Sequence, residues 1–292
     1  MLLEELAKKE ELNVDFHNHG QTGSDYRKKE EGLGNKLWGL LLSEGFSDLT
    51  GVLDRIRNTD LDVLYITNFS DLRYEFWTSQ EQIENTRKAG YQIEQGMYYT
   101  FAKKDGRTVA LGKSQEVPTK QGHMLFSGLR IGKRISDKRE LEETLKEAND
   151  GELKIADHPY VKMRGQNGIL AKSKNEKDYI KKVDSLERNG NFYLPFSIAN
   201  WKVYRSSRKY SKPLLANSDG HHPKDMGNTY NIFNSKSLNY SSERAFRDSI
   251  NSAVRENNFE TRFSPIPPYR IFHHVMMIVL NMIRDKIYHI KR

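Results

Sequence analysis

The sequence predicts an α/β fold in which strands alternate with helices around a mainly parallel sheet or barrel. Three features lead there. Short runs rich in β-branched and aromatic residues recur along the chain, helix-spaced apolar residues fall between them, and histidines and aspartates gather where the runs end. Residues 12 to 17 (LNVDFH) and 62 to 67 (DVLYIT) are the first two predicted strands. Between them, 47 to 58 carries Leu49, Val52, Leu53 and Ile56 at helical spacing, with Ser47 or Asp48 placed to cap the first turn. The pattern continues with a helix at 79 to 89, strands at 91 to 98, 107 to 112 and 123 to 127, and a helix at 137 to 149. A strand at 153 to 157, a helix at 175 to 188, a strand at 192 to 198, a basic segment, a strand at 213 to 217 and a helix at 241 to 256 complete it.

Three prolines within FSPIPPYR (263 to 270) set off a tail, so the expected organisation is a barrel domain over 1–262 and a hinge with an apolar helix over 263–292. The thirteen residues from Ile271 to Ile283 are apolar on nearly all sides. As a helix they reach roughly 20 Å, short of a bilayer core of about 30 Å. The tail is therefore expected to pack on the barrel or on another subunit, with a membrane-surface helix as the second reading.

No cysteine is present, which excludes disulfides and thiolate metal sites and leaves His, Asp, Glu and backbone oxygen as ligands. The same absence favours a cytoplasmic protein, and the acidic start LLEELAKKEE lacks the basic and apolar stretches of a signal peptide. A formal charge of +8 steers anionic ligands toward the chain, whether nucleic acid, phosphorylated metabolites or an anionic membrane surface, without choosing among them.

His17 and His19 form an H-x-H at the end of the first strand, and Asp25 follows. Residues two apart on an extended segment point the same way, so both imidazoles can reach one ion. His123 opens the strand at 123 to 127, His158 follows the strand ending at 157, and Asp219 and His221 follow the strand at 213 to 217. Any one such histidine is more often a hydrogen-bonded structural residue, and Asp-Gly or Asp-His pairs often mark turns. Jointly they mean more. Five of the nine histidines and two aspartates fall at strand ends, and in a parallel barrel those ends converge on one face. His222, His273, His274 and His289 lack this placement and are expected at the surface, in packing or at an interface.

DFHNHGQTGSD (15 to 25) resembles the first motif of the polymerase and histidinol phosphatase (PHP) family, D-x-H-x-H followed by Ser-Asp. LDVLYITNF (61 to 69) is similar to the second, which normally ends Thr-Asp-His, and QGMYYT (95 to 100) to the third, normally Gly-x-Glu. GHMLFSGL, ADHPY and NSDGHHPKDMG resemble the remaining His, His-Pro and Ser-Asp-x-His motifs, in family order over about residues 12 to 262. The resemblance implies a distorted seven-stranded (β/α) TIM-like barrel with a C-terminal helical tail and up to three metal ions at the carboxyl ends of the strands. It implies that His17, His19 and Asp219 share one ion, that His123 and His158 hold a second, and that Asp25 and His221 hold a third. On this alignment two family ligands are missing. Phe69 stands for the histidine of the second motif, and Tyr98 for the glutamate that bridges two ions. A phenol is a poor ligand near neutral pH and does not bridge in the same way, so one to two divalent ions (Zn, Mn or Fe) are expected. Asp71, Glu75 and Glu94 are the nearby carboxylates that can compensate.

The stretch WKVYRSSRKYSK (201 to 212) interleaves Lys202, Arg205 and Arg208 with Trp201, Tyr204 and Tyr210, a mixture that suits a nucleotide's phosphate and base. A solvated helical surface gives the same pattern. Lys162 and Arg164, just after His158, are a second pair of phosphate-binding candidates. The expected function is metal-dependent hydrolysis of phosphate esters, on a phosphorylated small molecule or a nucleic-acid end. No protein nucleophile is needed, since water activated by the ions attacks phosphorus. The alternative is a catalytically degenerate protein that binds a metal, a phosphorylated ligand or a protein partner, supported by the two missing ligands. A duplex DNA reader is not expected, because no helix-turn-helix or zinc-finger signature is present.

Overall fold

The computed structural model describes residues 2–19, 48–69, 76–163, 166–171, 173, 175–190, 196–220 and 225–264. Asp25, Asp71, Glu75, Arg164, His221 and the predicted tail beyond residue 264 lie outside the described residues. The elements run α1 (Leu2–Leu6), β1 (Glu11–Asn18), α2 (Leu49–Arg57), β2 (Val63–Phe69), α3 (Gln80–Lys88), β3 (Gln92–Gln95), β4 (Tyr99–Lys104), β5 (Arg107–Pro118) and β6 (His123–Leu129). They continue with α4 (Leu141–Glu147), β7 (Leu153–Ala156), β8 (Lys162–Met163), β9 (Gln166–Asn167), α5 (Glu176–Lys182) and β10 (Ser185–Asn189). After these come α6 (Phe196–Tyr210), β11 (Leu214–Asn217), β12 (Thr229–Asn234), α7 (Glu243–Arg255) and β13 (Glu260–Phe263). Asp48, one of the two predicted caps, accepts the Gly51 amide at 2.6 Å, satisfying a backbone donor that the first turn of α2 leaves open.

Among the described residues, seven strands form a ring in the order β1, β2, β5, β6, β7, β10, β11. Every pairing in it is parallel except those of β6, which runs antiparallel to both β5 and β7. The ring is nearly closed where β11 returns to β1. There Asn18 bridges to Gly220, the Asp219 amide donates to the His17 carbonyl at 2.9 Å, and the His19 amide donates to the Gly220 carbonyl at 2.8 Å. Glycine permits this approach, since a Cβ at position 220 would stand 2.6 Å from Asn18 Nδ2. Asn231 of β12 stitches the same seam, accepting from the Ala216 amide at 2.9 Å and donating to the carbonyls of Ala216 at 2.9 Å and Val14 at 3.1 Å. The distorted seven-stranded α/β barrel expected from the sequence is the fold observed.

Strand periodicity of two divides the core. Val14, Phe16, Val63, Tyr65, Ala110, Leu125, Ile155 and Leu215 form one apolar cluster inside the ring. The intervening residues face outward: Leu64, Ile66 and Leu111 pack on Val52, Leu53 and Ile56 of α2, while Met124, Phe126 and Leu186 pack on Leu141, Ile180 and Val203 of the later helices. Each large apolar side chain so buried contributes about 1.5–3 kcal/mol. A one-residue slip of any strand would reverse its two faces, so the register is strongly determined.

Several predicted elements are corrected. Of the strand predicted at 192 to 198, residues 192 to 195 lie outside the described residues, and Phe196 begins α6, which carries the basic segment as a helix. The strand of that unit is β10, which overlaps the end of the helix predicted at 175 to 188, whose earlier part is α5. Its inward residues Ser185, Glu187 and Asn189 are polar and buried, so it carries no hydrophobic alternation to read. The strand predicted at 91 to 98 ends at Gln95 and turns back as β4, and the pairs β8–β9 and β12–β13 were not among the predicted strands. Among the described residues no helix is long and apolar enough to cross a membrane.

Candidate metal centre

At one end of the ring the inward series turns from apolar to ionisable. On β5, Ala110, Gly112 and Ser114 are followed in phase by Glu116, and on β7, Leu153 and Ile155 are followed by Asp157. Glu187 stands on the inward face of β10, and Asp219 lies two residues beyond Asn217 of β11. The antiparallel course of β6 explains His123, because the first residue of that strand lies where its neighbours finish. On β1 the register shifts between Asp15 and Asn18, and His17 and His19 both turn toward the cluster.

His17 Nε2 and His19 Nε2 stand 2.9 Å apart, and Asp219 Oδ1 is 3.4 Å and 3.5 Å from them. Glu116 faces two ways. Its Oε2 is 3.2 Å from His19 Nε2, while Oε1 is 2.5 Å from His123 Nδ1 and 3.4 Å from His158 Nε2. Asp157 lies 3.1 Å from His158 Nε2 and 3.4 Å from His17 Nδ1. Glu187 Oε1 is 2.8 Å from His17 Nδ1, and its Oε2 accepts the His158 amide at 3.0 Å. Three sets of donor atoms are each gathered within 4.8 Å among the described residues: Glu116, His123, Asp157, His158; His17, His19, Glu116; and His17, Asp157, Glu187; Glu116 belongs to the first two.

All of these residues are buried, and four of them are carboxylates. Burial of like charges is costly unless positive charge joins them. Burial disfavours a charged His17, yet the carboxylates of Glu187 and Asp219 outweigh it and raise the imidazole pKa to about 10. Burial would raise Glu116, but the His123 charge and the hydrogen bonds around it hold it well below the usual carboxylate range. Glu187, likewise resisting burial through the His17 charge, is held at about 2. Asp157 goes the other way, pushed well up by burial and by the neighbouring Glu116 and Glu187 charges, and neither of its oxygens makes a hydrogen bond among the described residues. The site draws positive charge to itself, has a buried carboxylate, Asp157, set among imidazoles and other carboxylates, and offers imidazole and carboxylate donors. Those features fit divalent zinc, manganese or iron.

Behind the cluster, buried Asp15 accepts from Ser218 Oγ at 2.5 Å, from the Ser218 amide and from the His17 amide, which ties β1 to the Asp219 turn. Burial pushes Asp15 up to about 7 in spite of these bonds. His158 and Asp219 both have positive φ, 25° and 45°, a conformation that costs of order 1–3 kcal/mol for such residues and is held by the surrounding bonds. Asn189 Nδ2 donates to Asp219 Oδ2 at 2.7 Å and leaves Oδ1 facing the two imidazoles.

Of the residues predicted from sequence, the structure brings His17, His19, His123, His158 and Asp219 together; Asp25 and His221 lie outside the described residues. Tyr98 has other partners: its hydroxyl donates to Asp150 at 3.2 Å, the Arg247 guanidinium lies 4.2 Å from its ring centroid, and its amide donates to Glu243. The carboxylate that stands between His19 and the His123–His158 pair is Glu116, further along in KSQEVP. Glu94 is also elsewhere, accepting the Leu2 amide at 2.9 Å. Sequence reasoning missed Glu116, Asp157 and Glu187, whose only signal is a carboxylate on the inward phase near a strand's end. Lys202, Arg205 and Arg208 lie on α6, while Lys162 opens the small β8–β9 hairpin.

Residues 197–254 match the family described as PHP-associated. No curated protein matches the sequence. Among solved structures, PsfC from Pseudomonas syringae PB-5123 is similar at 15% identity and a TM-score of 0.55, covering 96% of this chain and 100% of that one. A two-domain protein from Bacteroides vulgatus ATCC 8482, containing a predicted PHP-like metal-dependent phosphoesterase, is similar at 14% identity and a TM-score of 0.51, covering 87% and 65%. Endonuclease Q, in complex with a 27-mer duplex substrate with an abasic lesion at the active site, aligns at 16% identity and a TM-score of 0.49, covering 84% and 57%. This chain thus spans less than two thirds of the length of the latter two. At these identities the likeness is one of fold. Barrel and cluster together define a TIM-like α/β domain with a candidate metal centre at its mouth. The PHP-associated match runs from α6 into α7, a minority of the chain, and the solved structures add a likeness of fold.

Proposed function

We propose that the chain is a metal-dependent hydrolase of phosphate esters, acting on a phosphorylated small molecule or a nucleic-acid end. Glu116 carries this reading, because one carboxylate turns an oxygen to His19 and the other to His123 and His158, so that two donor sets share one residue. Paired cations of the kind that hydrolyse phosphate esters need such a shared anion between them. On this reading His17, His19 and Asp219 hold one ion, and His123, His158 and Asp157 hold another. Asp25 and His221 are proposed as further ligands on the resemblance alone, and Phe69 in place of a histidine argues for one to two ions rather than three.

Bound divalent ions supply Lewis-acid stabilisation of the phosphoryl oxygens and a water that ionises near neutral pH. The chain's own residues position what surrounds them. Glu187 engages His17 through Nδ1 and keeps Nε2 turned to the centre, and Asn189 aims Asp219 through the opposite oxygen. Phe16 and Tyr65, stacked at 5.1 Å, form an apolar floor that limits water from the barrel interior. Arg164, Lys202, Arg205 and Arg208 are the candidates for holding substrate phosphate, and a cytoplasmic setting accords with the lack of cysteine. On this reading Glu116 supplies the shared carboxylate absent at Tyr98, which weighs against the degenerate-binder alternative.

The test is elemental analysis of protein purified without a histidine tag, followed by turnover on a panel of phosphate esters with Mn²⁺, Zn²⁺ or Fe²⁺ supplied. One to two ions and turnover abolished by Glu116→Gln are expected. A metal-loaded protein that turns over nothing on the panel overturns the proposal.

A further inference from the structure

Helix α6 has two unlike faces. Ala199, Val203 and Ser206 are buried against the barrel, whereas Trp201, Tyr204, Arg205 and Arg208 repeat at i, i+3, i+4 and i+7 on the outer side. Trp201 is 57% exposed and Tyr204 47%, and with Ile198 they are three of the four large exposed apolar side chains among the described residues. An ordinary solvated helix keeps charges outside and rings inside, so two indole and phenol rings left in water need a reason. Each has a guanidinium beside it, Arg205 at 4.7 Å from the Trp201 ring and Arg208 at 5.8 Å from the Tyr204 ring. Two clefts of 720 Å³ and 640 Å³ adjoin this face and meet at Tyr204 and Arg208, and together they are termed the groove. Five Lys or Arg and two Glu line it, and one of those acids, Glu176, is already engaged by the hydroxyls of Ser206 and Tyr160.

The helix that carries the groove is tied at its start to the metal centre. Asn200 exchanges two hydrogen bonds with the Asn189 backbone, at 2.9 Å and 2.8 Å, and the Asn189 side chain holds Asp219. Trp201 follows directly, and Arg208 lies about 10 Å further along the helix at about 1.5 Å per residue. We infer that this groove binds a single-stranded nucleic-acid segment, with bases stacked on Trp201 and Tyr204 and phosphates paired with Arg205, Arg208 and Lys202. Exposed flat rings alternating with cations match the alternation of base and phosphate along such a strand. A small phosphorylated metabolite has no second base to use the length, and a duplex hides its base faces. The inference deepens the hydrolase reading by naming its substrate class, an oligonucleotide end with an unpaired tail, but binding in the groove requires no turnover.

Binding of a fluorescein-labelled oligothymidylate of about twelve nucleotides, followed by anisotropy in EDTA, tests it apart from chemistry. The native protein and Glu116→Gln are both expected to bind, with quenching of Trp201 emission. Trp201→Ala is expected to weaken binding about tenfold. Arg208→Gln is expected to lower the slope of log affinity against log salt by about 0.7, the share of a single phosphate neutralised by one guanidinium. Circular dichroism checks that these exposed-site variants fold. Affinity unmoved by Trp201→Ala, inorganic polyphosphate competing as well as the oligonucleotide, or phosphatidylserine vesicles binding in its place would each overturn the inference. Oligonucleotide binding with no turnover of any ester would instead overturn the hydrolase reading and leave this one standing.

Discussion

Glu116→Gln keeps the shape of the side chain and removes one negative charge that faces His19 at 3.2 Å, His123 at 2.5 Å and His158 at 3.4 Å. With an effective dielectric of about 20, two unit charges about 4 Å apart attract by about 4 kcal/mol. A dication doubles that attraction, while the amide oxygen remains a weak donor and the variant relieves repulsion from Asp157 and Glu187. Taking about 4 kcal/mol as the net loss, at 1.36 kcal/mol per decade, gives about a thousandfold weaker metal binding. Calorimetric titration of chelator-treated protein with Mn²⁺ measures the affinity, and elemental analysis after gel filtration measures what is retained. Tyr98→Glu is the companion variant. It adds a carboxylate beside Asp150 and Arg247, away from the cluster, so metal content is expected to stay as in the native protein. Equal stoichiometry and affinity in Glu116→Gln, or a gain of metal in Tyr98→Glu, would refute the assignment of the shared carboxylate to Glu116.

Removing metal is expected to lower stability, since saturation at about a hundredfold over Kd contributes about 2.7 kcal/mol, or about 4 °C of melting temperature for a chain of this size. A melt unchanged by EDTA argues against a resident ion. Asp219→Ala takes away the oxygen that lies 3.4 Å and 3.5 Å from His17 and His19, and turnover on any phosphate ester the native protein cleaves is expected to fall to background. Retained turnover would remove Asp219 from the ligand set. Asn231→Ala cuts four side-chain bonds at the barrel seam, to the Ala216 amide and carbonyl, the Val14 carbonyl and Asn217 Oδ1, which at about 1 kcal/mol net each gives a loss of about 4 kcal/mol in urea unfolding. A change well under about 1 kcal/mol would mean that the seam is held by its backbone bonds alone.

The parts of this protein legible in one dimension are those determined by neighbours in the chain. Leu49, Val52, Leu53 and Ile56 repeat with the helical period and do form one buried face of α2. His17 and His19, two apart at the end of β1, both reach the cluster, and the Asp219 turn follows β11 as expected for a strand end. The order of these local signals was enough to indicate the barrel. Other parts depend on partners far along the chain. Whether Glu116 faces the mouth or a helix is decided by the register of β5 against β2 and β6, and one residue of slip would reverse it. His123 belongs to the centre because β6 runs against its neighbours, a direction that no residue in GHMLFSGL announces. Sequence by itself determined the elements with a clear period, such as β1, α2, β2 and α7, and the placement of His17, His19 and Asp219 at strand ends, because backbone periodicity is a local property. Only the tertiary structure decided which carboxylates join those histidines, because closing the ring is what brings Glu116, Asp157 and Glu187 from separate strands into one buried volume, where they draw positive charge.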